Sequence, residues 1–178
     1  MTDKPIPESY WVTPGSFLAG GYPASTEGDE AFTRWCLTAF LNAGFSVFFD
    51  LTRPGELPPY AATLREQAAH YGISTEYHHV SIQDRGLPSH DQMKALLDSL
   101  DEALSAGRKV YLHCWGGIGR TGMTVGCWLV RHGLDGAAAL ARLGELYQKS
   151  EQSSLYPHSP ETVAQMEFIL DWKEDGLA

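Results

Sequence analysis

The feature that most constrains the fold of this chain is a glycine-rich loop between a predicted strand and a predicted helix. Residues 109–112 form a short apolar run that is typical of a buried strand, and beyond the loop apolar residues recur at helical spacing from Met123 to Leu129. Within the loop, five residues separate Cys114 from Arg120, and three of those five are glycines. The sequence therefore predicts a strand, a tight loop and a helix in direct succession.

This succession suits a loop that binds an anion. The loop would lie at the N-terminus of the helix, which carries the positive end of the helix dipole. Glycines allow successive N–H groups to turn inward, and the planar guanidinium of Arg120 can pair with two phosphate oxygens. Cys114 would then lie on the floor of an electropositive cup, where the nucleophilic thiolate is favoured over the thiol. The alternative is a structural cysteine beside an ordinary glycine turn.

The residues in and around the loop resemble the Cys-x5-Arg-Ser/Thr signature of the cysteine-dependent phosphatases, the superfamily of protein tyrosine and dual-specificity phosphatases, in particular its small atypical bacterial members. The matching residues are His113, Cys114, Gly116, Gly119, Arg120, Thr121 and Gly122. A nucleotide P-loop is excluded, because the chain has no G-x-x-x-x-G-K-[ST] pattern and this loop has no lysine.

The resemblance implies a role for each residue of the loop. Cys114 would be the nucleophile, Thr121 would donate a hydrogen bond to its sulfur, and His113 would stiffen the loop. The residues expected to bind the phosphate are Trp115, Gly116, Gly117, Ile118, Gly119 and Arg120. The resemblance implies that neither a metal nor an organic cofactor is required.

A second chemical feature precedes the cysteine by thirty residues. Asp84 lies in the segment Gln83-Asp84-Arg85-Gly86-Leu87-Pro88, which resembles the general-acid loop of the dual-specificity phosphatases. Cleavage of a phosphate ester requires a proton for the departing oxygen, so a carboxylic acid facing the nucleophile is needed. Alone, an aspartate before Gly-x-Pro is usually a turn residue. In combination with the cysteine signature, the sequence favours Asp84 as the acid.

For three further residues the sequence leaves two interpretations open. Tyr22, in a Gly-Tyr-Pro turn, either lines the substrate entrance or caps the core with its hydroxyl in water. Arg53, in an Asp-Leu-Thr-Arg-Pro-Gly-Glu segment, either lends the site a second positive charge or is a solvated loop residue. Gln165, by resemblance, orients the attacking water; otherwise it is an exposed helix residue. The adjacent His78 and His79 point to opposite faces of a strand and do not suggest a metal site.

The alternation of predicted strands and helices favours an α/β fold with three layers, a mostly parallel central sheet being flanked by helices. We expect one phosphatase domain over residues 1–178, with the cysteine loop at the carboxyl end of a strand. Residues 5–15 are expected to be an ordered lead-in rather than a helix. The last helix is expected to open at Ser159-Pro160. Cys36 and Cys127 fall on apolar helix faces and are expected in the core.

Composition limits the partners. The formal net charge of −9 disfavours nucleic acid and anionic membranes, because the overall field repels phosphate backbones. Three widely spaced cysteines argue against a disulfide framework, and the N-terminus has no signal-peptide layout. We therefore expect a cytoplasmic monomer whose partner is a phosphorylated protein or a small phosphoester.

The function expected from the sequence is hydrolysis of phosphomonoesters through a cysteinyl-phosphate, on phosphotyrosine and on phosphoserine or phosphothreonine. An inositol-phosphate or other small-phosphoester phosphatase is the main alternative, although the uncharged loop lining favours a single phosphate group. A phosphate-binding pseudophosphatase would lack a catalytic group, whereas Cys114, Arg120 and Asp84 are all present. A rhodanese-like sulfurtransferase would not need Asp84.

Overall fold

A computed structural model of the chain describes residues 4–174 and places one five-stranded sheet at its centre. The strands are β1 (Ser9–Thr13), β2 (Phe17–Gly20), β3 (Phe45–Asp50), β4 (Glu76–His79) and β5 (Lys109–His113). Their order in the sheet is β1-β2-β5-β3-β4. β5 pairs in parallel with both β2 and β3, β4 is parallel to β3, and only β1 runs antiparallel to its neighbour. The mostly parallel sheet expected from the sequence is confirmed.

Six α-helices cover the two faces of this sheet. They are α1 (Glu30–Asn42), α2 (Ala61–His70), α3 (His90–Ser105), α4 (Gly119–Arg131), α5 (Gly136–Tyr147) and α6 (Val163–Leu170), with a short 3-10 helix at Glu151–Ser154. Successive side chains of a strand point to opposite faces. On β5, Tyr111 therefore packs in the cluster that contains residues of α1 and α2, whereas Val110 and Leu112 pack in the cluster formed with α3 to α6. This confirms the three-layer α/β fold.

The sheet brings several loops to one edge. Because β3, β4 and β5 are parallel, the loops that follow them leave the sheet on the same side. The Leu51 N–H donates to the His113 carbonyl (2.9 Å), and the Ile82 N–H donates to the Leu51 carbonyl (3.2 Å). The chain after β3 and the chain after β4 therefore start beside the end of β5, where Cys114 follows.

One prediction about the ends of the chain is wrong, and one strand was not foreseen. Residues 5–15 are not helical, as expected, but they contain β1, an edge strand whose partner β2 supplies the ladder that local sequence does not reveal. The last helix does not open at Ser159-Pro160. Instead Thr162 caps α6 through a capping box with Gln165, and the Ser159 hydroxyl donates to the Ile118 carbonyl (2.8 Å). Within residues 4–174, no helix has both the length and the apolar character needed to cross a bilayer.

Candidate active site

The cysteine loop (residues 114–118) joins β5 to α4, and it depends on glycines where the chain is crowded. Gly117 has a positive φ of 73°, and a Cβ at this position would lie 2.3 Å from the Gly20 backbone. A side chain there is excluded both by conformation and by space. A Cβ on Gly119 would lie 3.0 Å from the side-chain oxygen of Gln165. The close approach of β2 and α6 therefore fixes the shape of the loop around the buried Cys114.

The N-terminus of α4 is left without a side-chain cap. Its N-cap residue is Ile118, which has no capping group, whereas side chains cap four of the other helices. Those capping residues are Asp29, Ser89, Asp135 and Thr162. The first backbone bond of α4 runs from the Gly122 N–H to the Ile118 carbonyl (3.2 Å), so the preceding N–H groups of the helix have no intrahelical acceptor. These groups, at the positive end of the helix dipole, form a site suited to an anion.

Arg120 is held by a carboxylate that the sequence did not single out. Its side chain is 1% exposed, and its Nη1 and Nη2 atoms donate to Glu56 Oε2 (2.9 Å) and Oε1 (2.6 Å). Nη1 also lies 3.2 Å from the Ile82 carbonyl oxygen. The Nε atom is buried and has no hydrogen-bond partner among residues 4–174. A buried donor of this kind is costly unless an acceptor reaches it, which an oxyanion in the cup would do.

The charges of this pair support each other. Burial works against the guanidinium charge, but the hydrogen bonds from Arg120 to Glu56 and the nearby Cys114 raise the pKa of Arg120 above its ordinary value. Burial likewise disfavours the Glu56 carboxylate, yet the same bonds lower the pKa of Glu56. Both groups are therefore charged at neutral pH, and Glu56 fixes the orientation of the guanidinium.

Asp84 reaches the same guanidinium from the other side of the cleft. Its Oδ1 lies 3.1 Å from Arg120 Nη2, and its side chain is 61% exposed. The Asp84 loop (residues 83–88) is a tight turn in which the Gly86 N–H donates to the Gln83 carbonyl (2.9 Å). Asp84 and Glu56, the two carboxylates that contact Arg120, both line one cleft of about 390 Å³. The cleft is lined by Arg53, Pro54, Gly55, Glu56, Gln83, Asp84 and Trp115.

His113 lies beneath the cysteine loop in a buried polar network. Its Nδ1 is 3.2 Å from the Cys114 carbonyl, which can only accept, so Nδ1 carries the proton and Nε2 accepts from the Tyr60 hydroxyl (2.7 Å). Burial lowers the pKa of His113, although the nearby Asp50 opposes this shift. Burial disfavours the charge of Asp50 in turn, but His113 and hydrogen bonds from Thr52 and Tyr77 hold its pKa below the ordinary value.

Thr121 and Gln165 are both buried beside the cysteine loop. The Thr121 hydroxyl donates to the Gly20 carbonyl (3.5 Å), and its expected hydrogen bond to the Cys114 sulfur stays a prediction. Gln165 is 0% exposed, which rules out the plain exposed helix residue. Its side-chain oxygen accepts from the Glu161 and Thr162 N–H groups (3.2 Å each), and its amide donates to the Gly86 carbonyl (3.3 Å).

Tyr22 and Arg53, whose roles the sequence leaves open, lie in different parts of the structure. Tyr22 packs edge-on against His113 and Tyr60 with ring centroids 5.5 Å apart, and its hydroxyl donates to the Pro58 carbonyl. It therefore supports the histidine from behind. Arg53 is exposed and lines the cleft, as does Trp115, which is 52% exposed.

Neither of the other cysteines is suited to act as a nucleophile. Burial raises the pKa of Cys36 to about 11, and it also raises the pKa of Cys127. Both thiols are buried as expected and are un-ionised at neutral pH. His78 stacks on Phe49 (4.5 Å between centroids), and within residues 4–174 no group of three His, Cys, Asp or Glu residues is arranged to hold a metal ion.

Sequence reasoning missed Glu56, the buried residues Asp50 and Tyr60, and Glu161, which pairs with Arg85. For Glu56 and Asp50 a signal was present. Asp50 ends a continuous apolar strand and Glu56 lies in the loop that follows it, and the carboxyl ends of parallel strands meet at one edge of a sheet. For Tyr60 and Glu161 the sequence carries no comparable signal, because each depends on packing between distant segments.

Comparisons with known proteins agree with this geometry. A family model described as "Polymorphic toxin system, DSP-PTPase phosphatase" matches residues 37–134. Cyclin-dependent kinase inhibitor 3 of Rattus norvegicus is 36% identical over 90 residues, which are 50% of this chain and 42% of the rat protein. Protein tyrosine phosphatase domain-containing protein 1 of Mus musculus is 28% identical over 130 residues, which are 68% of this chain and 17% of the mouse protein. The chain thus matches less than half the length of each relative.

Among solved structures, the crystal structure of Tk-PTP in a glycine-to-alanine mutant form superposes with a TM-score of 0.66 and 26% sequence identity. The alignment covers 92% of each chain. The structural likeness therefore extends well beyond the segment that the family model matches.

Proposed function

Because the chain belongs to the family described as polymorphic-toxin-system DSP-PTPase phosphatases, we propose that it hydrolyses phosphate monoesters through a covalent intermediate on Cys114. The substrates proposed are phosphotyrosine and phosphoserine or phosphothreonine in proteins. One observation carries the proposal. The guanidinium of Arg120 is buried and oriented by Glu56, and its Nε, which has no partner within residues 4–174, lies beside the N-terminus of α4, where no side chain of those residues caps the helix.

The proposed first step is attack by the Cys114 thiolate on phosphorus. A sulfur–phosphorus bond forms while the bond from phosphorus to the leaving oxygen breaks, and Asp84 gives its proton to that oxygen. Arg120 and the N–H groups at the start of α4 stabilise the charge on the oxygens that do not react. The 3.1 Å approach of Asp84 to Arg120 supports this assignment, because it places the carboxyl at the edge of the phosphate site.

The proposed second step regenerates the enzyme. Asp84, now a carboxylate, accepts a proton from a water molecule whose oxygen attacks phosphorus. The sulfur–phosphorus bond breaks and returns the thiolate with release of inorganic phosphate. His113 acts beneath the loop, where its Nδ1–H holds the Cys114 carbonyl (3.2 Å) while Tyr60 holds the other ring nitrogen.

The lining of the cleft supports a singly phosphorylated group. The loop residues between the nucleophile and α4 are Trp115, Gly116, Gly117 and Ile118, none of which is charged. Enzymes that act on several phosphates at once need additional cations near the first. The cleft offers Arg53 at its rim, while the charge of Arg120 is shared with Glu56 and Asp84. This balance favours phosphorylated side chains over polyphosphorylated inositols.

A substrate panel tests the proposal. Wild-type protein and Cys114→Ser would be assayed for phosphate release from matched phosphotyrosine, phosphoserine and phosphothreonine peptides, and from an inositol polyphosphate. We expect the wild type to turn over the peptides and the variant to be inactive on all, since a serine hydroxyl is hardly ionised at neutral pH. Turnover only of the inositol would move the function to the alternative class. Phosphate binding without any turnover would make the protein a pseudophosphatase.

A further inference from the structure

The Asp84 loop is held by contacts from outside it, one of which is the pairing of Asp84 with Arg120 (3.1 Å). The Asp84 side chain is mostly exposed, and Arg85 has a left-handed φ of 57°. Such a conformation costs free energy for a residue with a side chain and persists where surrounding contacts determine it. Contacts made by Arg85 and Gly86 therefore help to fix the position of Asp84, beside its own contact with Arg120.

Two contacts tie this loop to the start of α6. The Nε and Nη2 atoms of Arg85 both donate to Glu161 Oε1, at 2.7 and 2.5 Å. One residue further on, the Gly86 carbonyl accepts from the side-chain amide of Gln165 (3.3 Å). Both partners belong to the stretch of residues 159–165, which we name the bridge segment.

The bridge segment is itself fixed to the cysteine loop. The Ser159 hydroxyl donates to the Ile118 carbonyl (2.8 Å), and a Cβ on Gly119 would lie 3.2 Å from the Cβ of Glu161. The buried Gln165 joins the segment internally, since its oxygen accepts the Glu161 N–H (3.2 Å). One short segment thus contacts both loops that the reaction brings together.

We propose that Glu161 is a positioning residue that holds Asp84 over the phosphate site through its ion pair with Arg85. This inference rests on the proposed function. Asp84 and Arg85 are chain neighbours, so a fixed Arg85 limits the movement of the Asp84 carboxyl. Proton transfer is sensitive to displacements of about 1 Å. The ion pair is partly exposed and contributes little to the stability of the fold, so its loss is expected to change catalysis rather than folding.

The kinetic test uses Glu161→Ala, with Glu167→Ala as the matched control, because Glu167 is an exposed residue of α6 and has no ion pair in residues 4–174. With a phosphotyrosine peptide, kcat/KM should fall by about 5- to 100-fold in Glu161→Ala, between the effect of an exposed ion pair and that of a 1 Å misplacement. With a strongly activated aryl phosphate, whose leaving group needs no proton, the rate should change by less than about twofold.

Two further variants distinguish a positioning role of Glu161 from a direct electrostatic effect of its charge on the active site. Arg85→Ala removes the opposite charge but the same ion pair, so it should give the same selective loss. In an Asp84→Asn background, Glu161→Ala should have no further effect on the peptide, because no acid remains to be positioned. Equal losses with both leaving groups, or an additive loss in the Asp84→Asn background, would overturn the proposal.

Amide hydrogen exchange does not depend on catalysis, so it tests this inference separately from the proposed function. Amide hydrogen exchange across residues 83–88 should be faster by at least about threefold in Glu161→Ala and Arg85→Ala than in the wild type, and unchanged in Glu167→Ala. Unchanged exchange in both variants would refute the bridge even if the protein is an active phosphatase. If the wild type hydrolysed no phosphoester, faster exchange would still support the bridge as the element that places Asp84.

Discussion

Both carboxylate oxygens of Glu56 accept hydrogen bonds from Arg120, at 2.9 Å from Nη1 and 2.6 Å from Nη2. Glu56 follows β3 and Arg120 opens α4, so this pair links two elements that are distant in the chain. Glu56 binds the edge of the guanidinium formed by Nη1 and Nη2, and the buried Nε has no protein partner in residues 4–174. Glu56 therefore presets the geometry in which Arg120 meets a phosphate.

Replacement of Glu56 by glutamine should weaken both the fold and the phosphate site. A neutral amide cannot accept both bonds, and a buried pair that loses one partner typically costs about 3 kcal/mol of the free energy of unfolding. We expect kcat/KM to fall about 100-fold, because the guanidinium is no longer oriented. Inorganic phosphate should recover part of the lost stability, since it supplies the missing acceptor. Glu66→Gln, in an exposed ion pair with Arg34, is the control. Equal activity of both variants would show that Glu56 does not position Arg120.

The role of Asp84 is tested by changing the leaving group. Asp84→Asn keeps the size of the side chain but cannot donate a proton readily. It should slow hydrolysis of phosphotyrosine and alkyl phosphates by about 10²–10⁴-fold, and strongly activated aryl phosphates much less. Asp91→Asn, in the first turn of α3, is the matched control and should leave the rate of hydrolysis unchanged for every leaving group. A uniform loss over all leaving groups would make Asp84 a structural residue, and a loss in Asp91→Asn would move the acid role there.

We expect the free energy of unfolding to depend on pH through the buried His113. Burial lowers its pKa from 6.5 in the folded protein, so below pH 6.5 the unfolded chain binds a proton that the native state does not. The free energy of unfolding should therefore fall as pH drops from 6.5 towards the lowered pKa, by at most about 1.4 kcal/mol per pH unit. In His113→Asn this slope should be smaller, whereas His70→Asn, at the exposed end of α2, should retain it. Urea unfolding at a series of pH values measures the slope, and an unaltered slope in His113→Asn would contradict the assignment.

Arg53 predicts a preference among peptide substrates. Its exposed guanidinium lines the same cleft as Asp84 and Trp115, so it can meet an acidic residue beside the phosphorylated one. Arg53→Ala should raise KM about threefold for phosphopeptides with a flanking aspartate and leave neutral peptides unchanged, with kcat unaffected. The difference should shrink as salt is added. Arg65→Ala, exposed on α2, is the control. The same KM shift with neutral peptides would exclude a specific contact.

The sequence predicts the cysteine loop well because its geometry is local. Crowding and a positive φ require Gly117, and the strand and helix on either side follow from apolar spacing. Asp84 is predicted as the acid from the resemblance of its segment to the general-acid loop of the dual-specificity phosphatases, and in the structure its carboxyl lies 3.1 Å from Arg120. The expected Thr121 bond to the sulfur rested on resemblance alone. In the structure the Thr121 hydroxyl donates to a carbonyl in β2, a contact that no local pattern could reveal, and its bond to the sulfur stays a prediction.

Residues whose roles depend on contacts between distant segments could not be predicted from the sequence. Tyr60 meets His113 across 53 residues of chain, and Glu161 meets Arg85 across 76. β1 was missed for a related reason, since an edge strand of five residues is defined by its pairing with β2 rather than by its own pattern. These contacts come from tertiary packing, which overrides local preference.

The most direct test of the account is to look for the covalent intermediate. Wild-type protein would be mixed with an activated aryl phosphate, quenched in acid within milliseconds, digested and examined by mass spectrometry. The account predicts a phosphoryl group on the peptide that contains Cys114, in an amount that matches the burst of released phenol, and none in Cys114→Ser. Steady turnover by the wild type without any phosphoryl group on Cys114, or turnover by Cys114→Ser at the wild-type rate, would contradict it.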